Sequence, residues 1–144
     1  MPNKKRLIFA IFFITALISS GCANKATVAF DPSFNPKIIK TLHIRNSDGG
    51  GDELIPVIED KLRKMGFEVT SGDEVSPDAN AIITYRDKWM WDITMYMIEL
   101  TVTLRDTEND FPLATAYSMH TSLTRKSPEE MVDEALNNIF KNRE

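Results

Sequence analysis

The sequence is poor in metal-binding and redox-active side chains. It has one cysteine and two histidines among 144 residues. A single cysteine excludes an internal disulfide and a Cys₄ or Cys₂His₂ zinc site. Two histidines leave little material for a His-based metal centre. A basic surplus is also missing. Lys and Arg number 17 against 21 Asp and Glu, giving a net charge of −4 and a pI of about 5.2. Nucleic-acid binders need a basic footprint, so this balance argues against that class. No apolar run reaches the roughly 20 residues that a membrane-spanning helix requires. Internal repeats and low-complexity segments are absent too. What is present, 42% apolar and 26% charged residues, is ordinary for one folding domain.

Composition is uneven along the chain. Lys4, Lys5 and Arg6 form a basic patch, and Leu7 to Ile18 is then a nearly continuous apolar run of 12 residues. That length suits the h-region of a signal peptide better than a membrane span. Small residues Ser19, Ser20 and Gly21 follow, and then Cys22, the only cysteine. This order resembles the bacterial lipobox. The resemblance implies cleavage between Gly21 and Cys22, a diacylglyceryl group on the thiol and an acyl chain, such as palmitate, on the new amino terminus. The common form of the pattern has Leu three residues before the cysteine. Here that position is Ser19, with Ile18 one further back, which leaves cleavage elsewhere by the ordinary signal peptidase open. Ala23 rather than Asp follows the cysteine; by the same resemblance this suggests the outer membrane. Two or more acyl chains anchor a protein stably without a spanning helix. Residues 1–21 carry three basic residues and no acidic one, so their removal takes the net charge from −4 to −7. A domain so charged is repelled by anionic lipid and nucleic acid, leaving the lipid as the attachment.

The expected organisation is a lipoprotein signal peptide over 1–21, a lipidated tether over 22–36, and a single α+β periplasmic domain over 37–144. The tether reading rests on two prolines and the lack of sustained periodicity. In the domain, Ile38 to Arg45 alternates as a strand, with Leu42 and Ile44 on one face and His43 on the other. Gly49, Gly50 and Gly51 read as a flexible connection. Asp52 is the expected N-cap of a helix carrying Leu54, Ile58, Leu62 and Met65 on one stripe and stopping at Gly66. Strands are expected over Phe67–Ser71, Ala81–Lys88, Tyr96–Asp106 and Leu113–Leu123; in the third, strict alternation puts Tyr96, Ile98, Leu100, Val102 and Leu104 on one core face and Met97, Glu99, Thr101, Thr103 and Arg105 on the other. Ser127-Pro128-Glu129-Glu130 is a capping box with proline at the first helical position, opening a last helix. The fold class is therefore α+β: a two-layer sandwich of a mainly antiparallel sheet of four to five strands with two helices on one face.

No residue set organises a reaction. The glycine loop lacks the ending of a P-loop, and Asp48 and Asp52 flank it. Serines and carboxylates are plentiful, but none is paired with a base and an orienting group. No enzyme, no metal and no cofactor beyond the lipid on Cys22 are expected. Trp89-Met90-Trp91-Asp92 is the most informative segment, since it holds both tryptophans. On a continuous strand Trp89, Trp91, Met95 and Met97 share a face and form an apolar strip, a partner or ligand surface. A bulge or turn near Asp92 would instead flip the face and bury the tryptophans.

With Cys22 in its lipobox, the tether, the strand–helix–strand start and the capped final helix, the chain resembles the small outer-membrane lipoproteins of Gram-negative bacteria. The pattern around Tyr85, Trp89, Trp91 and Asp92 is similar to one such proteobacterial family. The architecture more distantly resembles the lipopolysaccharide-assembly lipoprotein. The resemblance implies a membrane partner through the lipid and an outer-membrane location with a periplasmic domain. The function expected is a non-catalytic binding or scaffolding module for an envelope protein or amphipathic ligand. The alternatives are a subunit or activator of an envelope assembly or secretion complex pairing through a sheet edge, or an envelope-acting enzyme.

Overall fold

The computed structural model describes residues 24–46 and 49–141. Cys22 and Gly21, and with them the lipidation and cleavage readings, lie outside the described residues. Six strands form one sheet: β1 (Lys25–Phe30), β2 (Thr41–Ile44), β3 (Glu68–Ser71), β4 (Ala81–Asp92), β5 (Thr94–Arg105) and β6 (Pro112–Met119). Their order is β1-β6-β5-β4-β2-β3. Two helices, α1 (Ile55–Lys64) and α2 (Pro128–Phe140), pack on one face. The α+β class is as the sequence indicates, with one strand more than the four to five expected.

That strand is β1, which falls inside the segment read as a tether. It pairs antiparallel with β6 from Lys25↔Met119 to Phe30↔Ala114. Its residues are largely exposed, as an edge strand allows, so they lack the alternation that marks a half-buried strand. The β2–α1–β3 unit places β2 parallel to both β3 and β4, and the other pairs are antiparallel.

The core lies between sheet and helices. Leu42 and Ile44 of β2, Ala81, Ile83 and Tyr85 of β4, and Leu100, Val102 and Leu104 of β5 point into it. Ile58 and Leu62 of α1 and Met131, Leu136 and Ile139 of α2 meet them. Each fully buried aliphatic side chain contributes about 1.5–3 kcal/mol. The capping box forms as read: Glu130 N–H donates to Ser127 Oγ at 3.2 Å, and Ser127 N–H donates to the Glu130 carboxylate at 2.8 Å.

Two local expectations change. Asp52 does not cap α1; it opens a 3₁₀ turn (Asp52–Leu54) and accepts a bond from Asn46 Nδ2. The glycine loop is anchored rather than free. Gly51 N–H donates to Asp87 Oδ1 at 2.8 Å, and Tyr85 Oη donates to Gly51 O at 3.0 Å. Gly50 lies on the Tyr85 ring, where a Cβ would sit 2.2 Å from Cε2. Burial, then the charges of Asp52, Asp87 and Glu53, push the Tyr85 phenol up to about 12.

Candidate functional site: an apolar hairpin tip

β4 and β5 form a long hairpin that turns on one residue, Ile93, between the pair Asp92↔Thr94. Ile93 has φ +60°. The register slips once along the hairpin: Lys88 opposes Glu99, but Trp89 opposes Met97, so Ile98 is an extra residue. Such a bulge reverses which side chains face the core. Below it Leu100, Val102 and Leu104 point inward, as the alternation predicts. Above it Met97 takes the inward position, and Tyr96, read as a core residue of the same row, turns to the opposite face.

Cross-strand partners share a face, so Trp89 and Met97 form one inward pair and Trp91 and Met95 the next. The four residues of the expected strip are therefore on one face, but they do not form one surface. Met97 is 1% exposed and belongs to the core. Trp89 is half-buried against that core, and its indole N–H donates to Asp87 Oδ2. Asp87 thus ties Trp89 to the glycine loop. Trp91 and Met95 lie further out and are 72% and 60% exposed. Ile93 is 88% exposed, and Met90 on the opposite face is also exposed. The apolar surface is thus the tip: Met90, Trp91, Ile93 and Met95. Met97 and Trp89 drop out because the helix layer reaches them.

Arg125 holds the tip on its opposite face. Its guanidinium donates to Thr94 Oγ1 at 2.8 Å, to Asp92 O at 3.1 Å and to Asp92 Oδ2 at 3.2 Å. It also lies over the Tyr96 ring, 4.1 Å from its centroid, a cation–π contact. Nothing in the spacing of Arg125 signals this role, because the contact joins segments distant in sequence.

The two histidines are apart. β2 and β6 are separated in the sheet by β4 and β5. His43 is buried on the helix-free face, with Nδ1 2.8 Å from Thr70 Oγ1 and Nε2 3.0 Å from Gly72 O. His120, beyond β6, donates from Nε2 to Glu134 Oε2 on α2 at 2.8 Å. Glu134 also accepts from Ser118 Oγ at 2.5 Å and from Lys126 Nζ at 2.6 Å. Burial pushes the Glu134 carboxyl up, but bonds from Lys126, Ser118 and His120, with the charge of Lys126, outweigh it and bring the group down to about 2. The serine hydroxyl is directed at this carboxylate and not at an imidazole. The set therefore lacks the direct serine–imidazole contact of a Ser–His pair. It fastens α2 to the end of β6. Among the described residues no group of three or more His, Cys, Asp or Glu is placed to hold a metal ion, and no helix is long and apolar enough to cross a membrane.

This sheet with two helices on one face defines an α+β class of domain with solved representatives. PelC from Paraburkholderia phytofirmans, a dodecamer, matches with a TM-score of 0.57 at 12% identity over 81% of this chain and 97% of that one. A single-substitution form of PelC matches with a TM-score of 0.59 at 13% identity over the same shares. A DUF4136 family protein from Bacteroides thetaiotaomicron matches with a TM-score of 0.51 at 9% identity, over 82% of this chain and 95% of that one. At these identities the likeness is one of fold. No family model matches the sequence, and no curated protein matches it.

Proposed function

We propose that the chain is a lipid-anchored envelope lipoprotein, acylated at Cys22. It acts as a non-catalytic binding or scaffolding module for an envelope protein or an amphipathic ligand. The observation that carries the reading is the hairpin tip, where Trp91, Ile93 and Met95 stand exposed together. Tryptophan is enriched at binding hot spots, and methionine at adaptable surfaces. An outer-membrane location with a periplasmic domain follows from the lipobox resemblance and from Ala23. His43, His120 and Glu134 are each taken up in contacts that join elements of the fold.

The test is labelled-palmitate incorporation, followed by cross-linked capture from intact membranes. Incorporation in the natural chain and its loss in Cys22→Ala support the anchor. A defined partner or amphiphile captured by the natural chain and lost in Trp91→Asp supports the tip. Capture unchanged in Trp91→Asp overturns the role of the tip.

A second reading has its own observation. β1 pairs only with β6, so its outer edge is open among the described residues. An open edge is a template for strand addition, and PelC, of like fold, is a dodecamer. On this reading the chain is a subunit of an envelope assembly joined through β1. Sedimentation of the detergent-solubilised protein decides it, since a monomer at all concentrations refutes self-assembly.

A further inference from the structure

The register of the sheet relates the apolar tip to the point where the chain emerges from the lipid anchor. Lys25, Met119, Glu99 and Lys88 oppose one another across β1, β6, β5 and β4 and form one row. Beyond that row the hairpin continues toward Ile93. β1 begins at this same end: Asn24 lies beyond the row on the side of the tip, and Cys22 precedes it by two residues in the sequence. Asn24 and the tip are joined through adjacent residues: Thr124 Oγ1 donates to Asn24 Oδ1, and Arg125 grips Asp92 and Thr94. Leu123 stands beside them, 86% exposed.

The lengths agree. Ile93 lies five residues past Lys88, about 16 Å along the strand. Cys22 lies three residues before Lys25, so an extended chain carries it at most about 10 Å from the row. Ile93 thus stands about 6 Å beyond the furthest level that three extended residues can reach, within the roughly 5–10 Å depth to which interfacial apolar groups are buried at the headgroup–acyl boundary. Two local features fit this use. Ile93 is a β-branched residue at φ +60° with its side chain in the open, a choice that serves neither the turn nor the core. Tryptophan, the residue at position 91, is enriched at membrane–water interfaces.

We infer that the tip (Met90, Trp91, Ile93 and Met95), with Leu123, seats in the lipid surface that holds the acyl chains of Cys22. The domain is then held at two points, with the opposite end of the sheet pointing away from the membrane. The inference rests on the reading that Cys22 is acylated, and of the two occupants named for the tip it selects the amphipathic one, the membrane lipid itself.

The full-length acylated protein is reconstituted into vesicles of phosphatidylethanolamine and phosphatidylglycerol, with and without brominated acyl chains. The amino-terminal peptide is weighed by mass spectrometry in the same preparation. The expected result is acyl mass on Cys22, loss of tryptophan emission in brominated vesicles, and little loss in Trp91→Phe, which retains only Trp89. Ile93→Asn, which suits the turn, is expected to fold and to show weaker quenching than the natural chain. Acyl mass with no quenching, or with equal quenching in Trp91→Phe, overturns the inference and leaves the anchor standing. Emission that is unquenched but shifts to the blue as protein concentration rises assigns the tip to a second copy and also overturns it. Absence of acyl mass overturns the anchor and the inference together.

Discussion

Replacing Glu134 by Gln isolates the charge of the carboxylate that fastens α2 to β6. The glutamine keeps an oxygen to accept from Ser118 and His120 but loses the negative charge facing Lys126. The carboxyl is brought from 4.5 to about 2 in the folded protein. At about 1.4 kcal/mol for each tenfold change in proton affinity, that fall corresponds to roughly 3 kcal/mol before screening. Lys126 is 32% exposed and Glu134 19%, so solvent screening reduces this to on the order of 1–2 kcal/mol. The sign follows from the depressed folded value. The stabilisation is fully present above the unfolded pKa near 4.5 and is lost as pH falls through the folded value near 2. Urea unfolding of the natural chain and of Glu134→Gln, followed by tryptophan emission from pH 7 to pH 2, measures it. The gap between the two is expected to be largest above pH 5 and to close by about pH 2. A gap of constant size across that range refutes the assignment, because a neutral contact does not titrate.

Four other outcomes follow from the same geometry. Met97→Asp should be strongly destabilising, by several kcal/mol, since it buries an unpaired charge, whereas Met95→Asp two residues away should stay within about 0.5 kcal/mol; parallel urea titrations give both. Ile93→Asn should raise stability by about 1 kcal/mol, because asparagine tolerates the left-handed conformation that strains isoleucine, and a lowered denaturation midpoint would contradict this. Gly50→Ala should cost about 1–3 kcal/mol, because its Cβ meets the buried Tyr85 ring, and thermal unfolding reads the loss. Ser127→Ala should cost about 1 kcal/mol through the lost cap of α2, checked by the same melt.

The parts of the fold legible in the sequence are those where one local rule acts alone. The α2 capping box and the core alternation of Leu100, Val102 and Leu104 needed no tertiary information. β1 was hidden because an edge strand buries too little to alternate, and its prolines at positions 32 and 36 lie outside the paired segment. The face of Met97 was hidden for a different reason. A single extra residue, Ile98, inverts the pattern, and no side chain at a bulge announces it. Trp89 and Trp91 illustrate the limit most clearly. They share a face, yet one is pinned by Asp87 and half-buried while the other is in the open, because burial depends on how far the helix layer extends above the sheet. The links made by Arg125 and Glu134 join segments remote in the chain, so only the folded arrangement reveals them.

The pairing of β1 with β6 also fixes when the domain can be completed. Lys25, at the start of the described chain, is opposite Met119, close to its end. Of the six strands β1 is the first to be made and its hydrogen-bonding partner β6 the last. Contacts of such long sequence separation form slowly, since the loop between them must first be closed. Until β6 arrives, β1 and the row of side chains it covers wait without a neighbour. The sheet therefore closes only after β6, the last of the six strands in the chain, has been made.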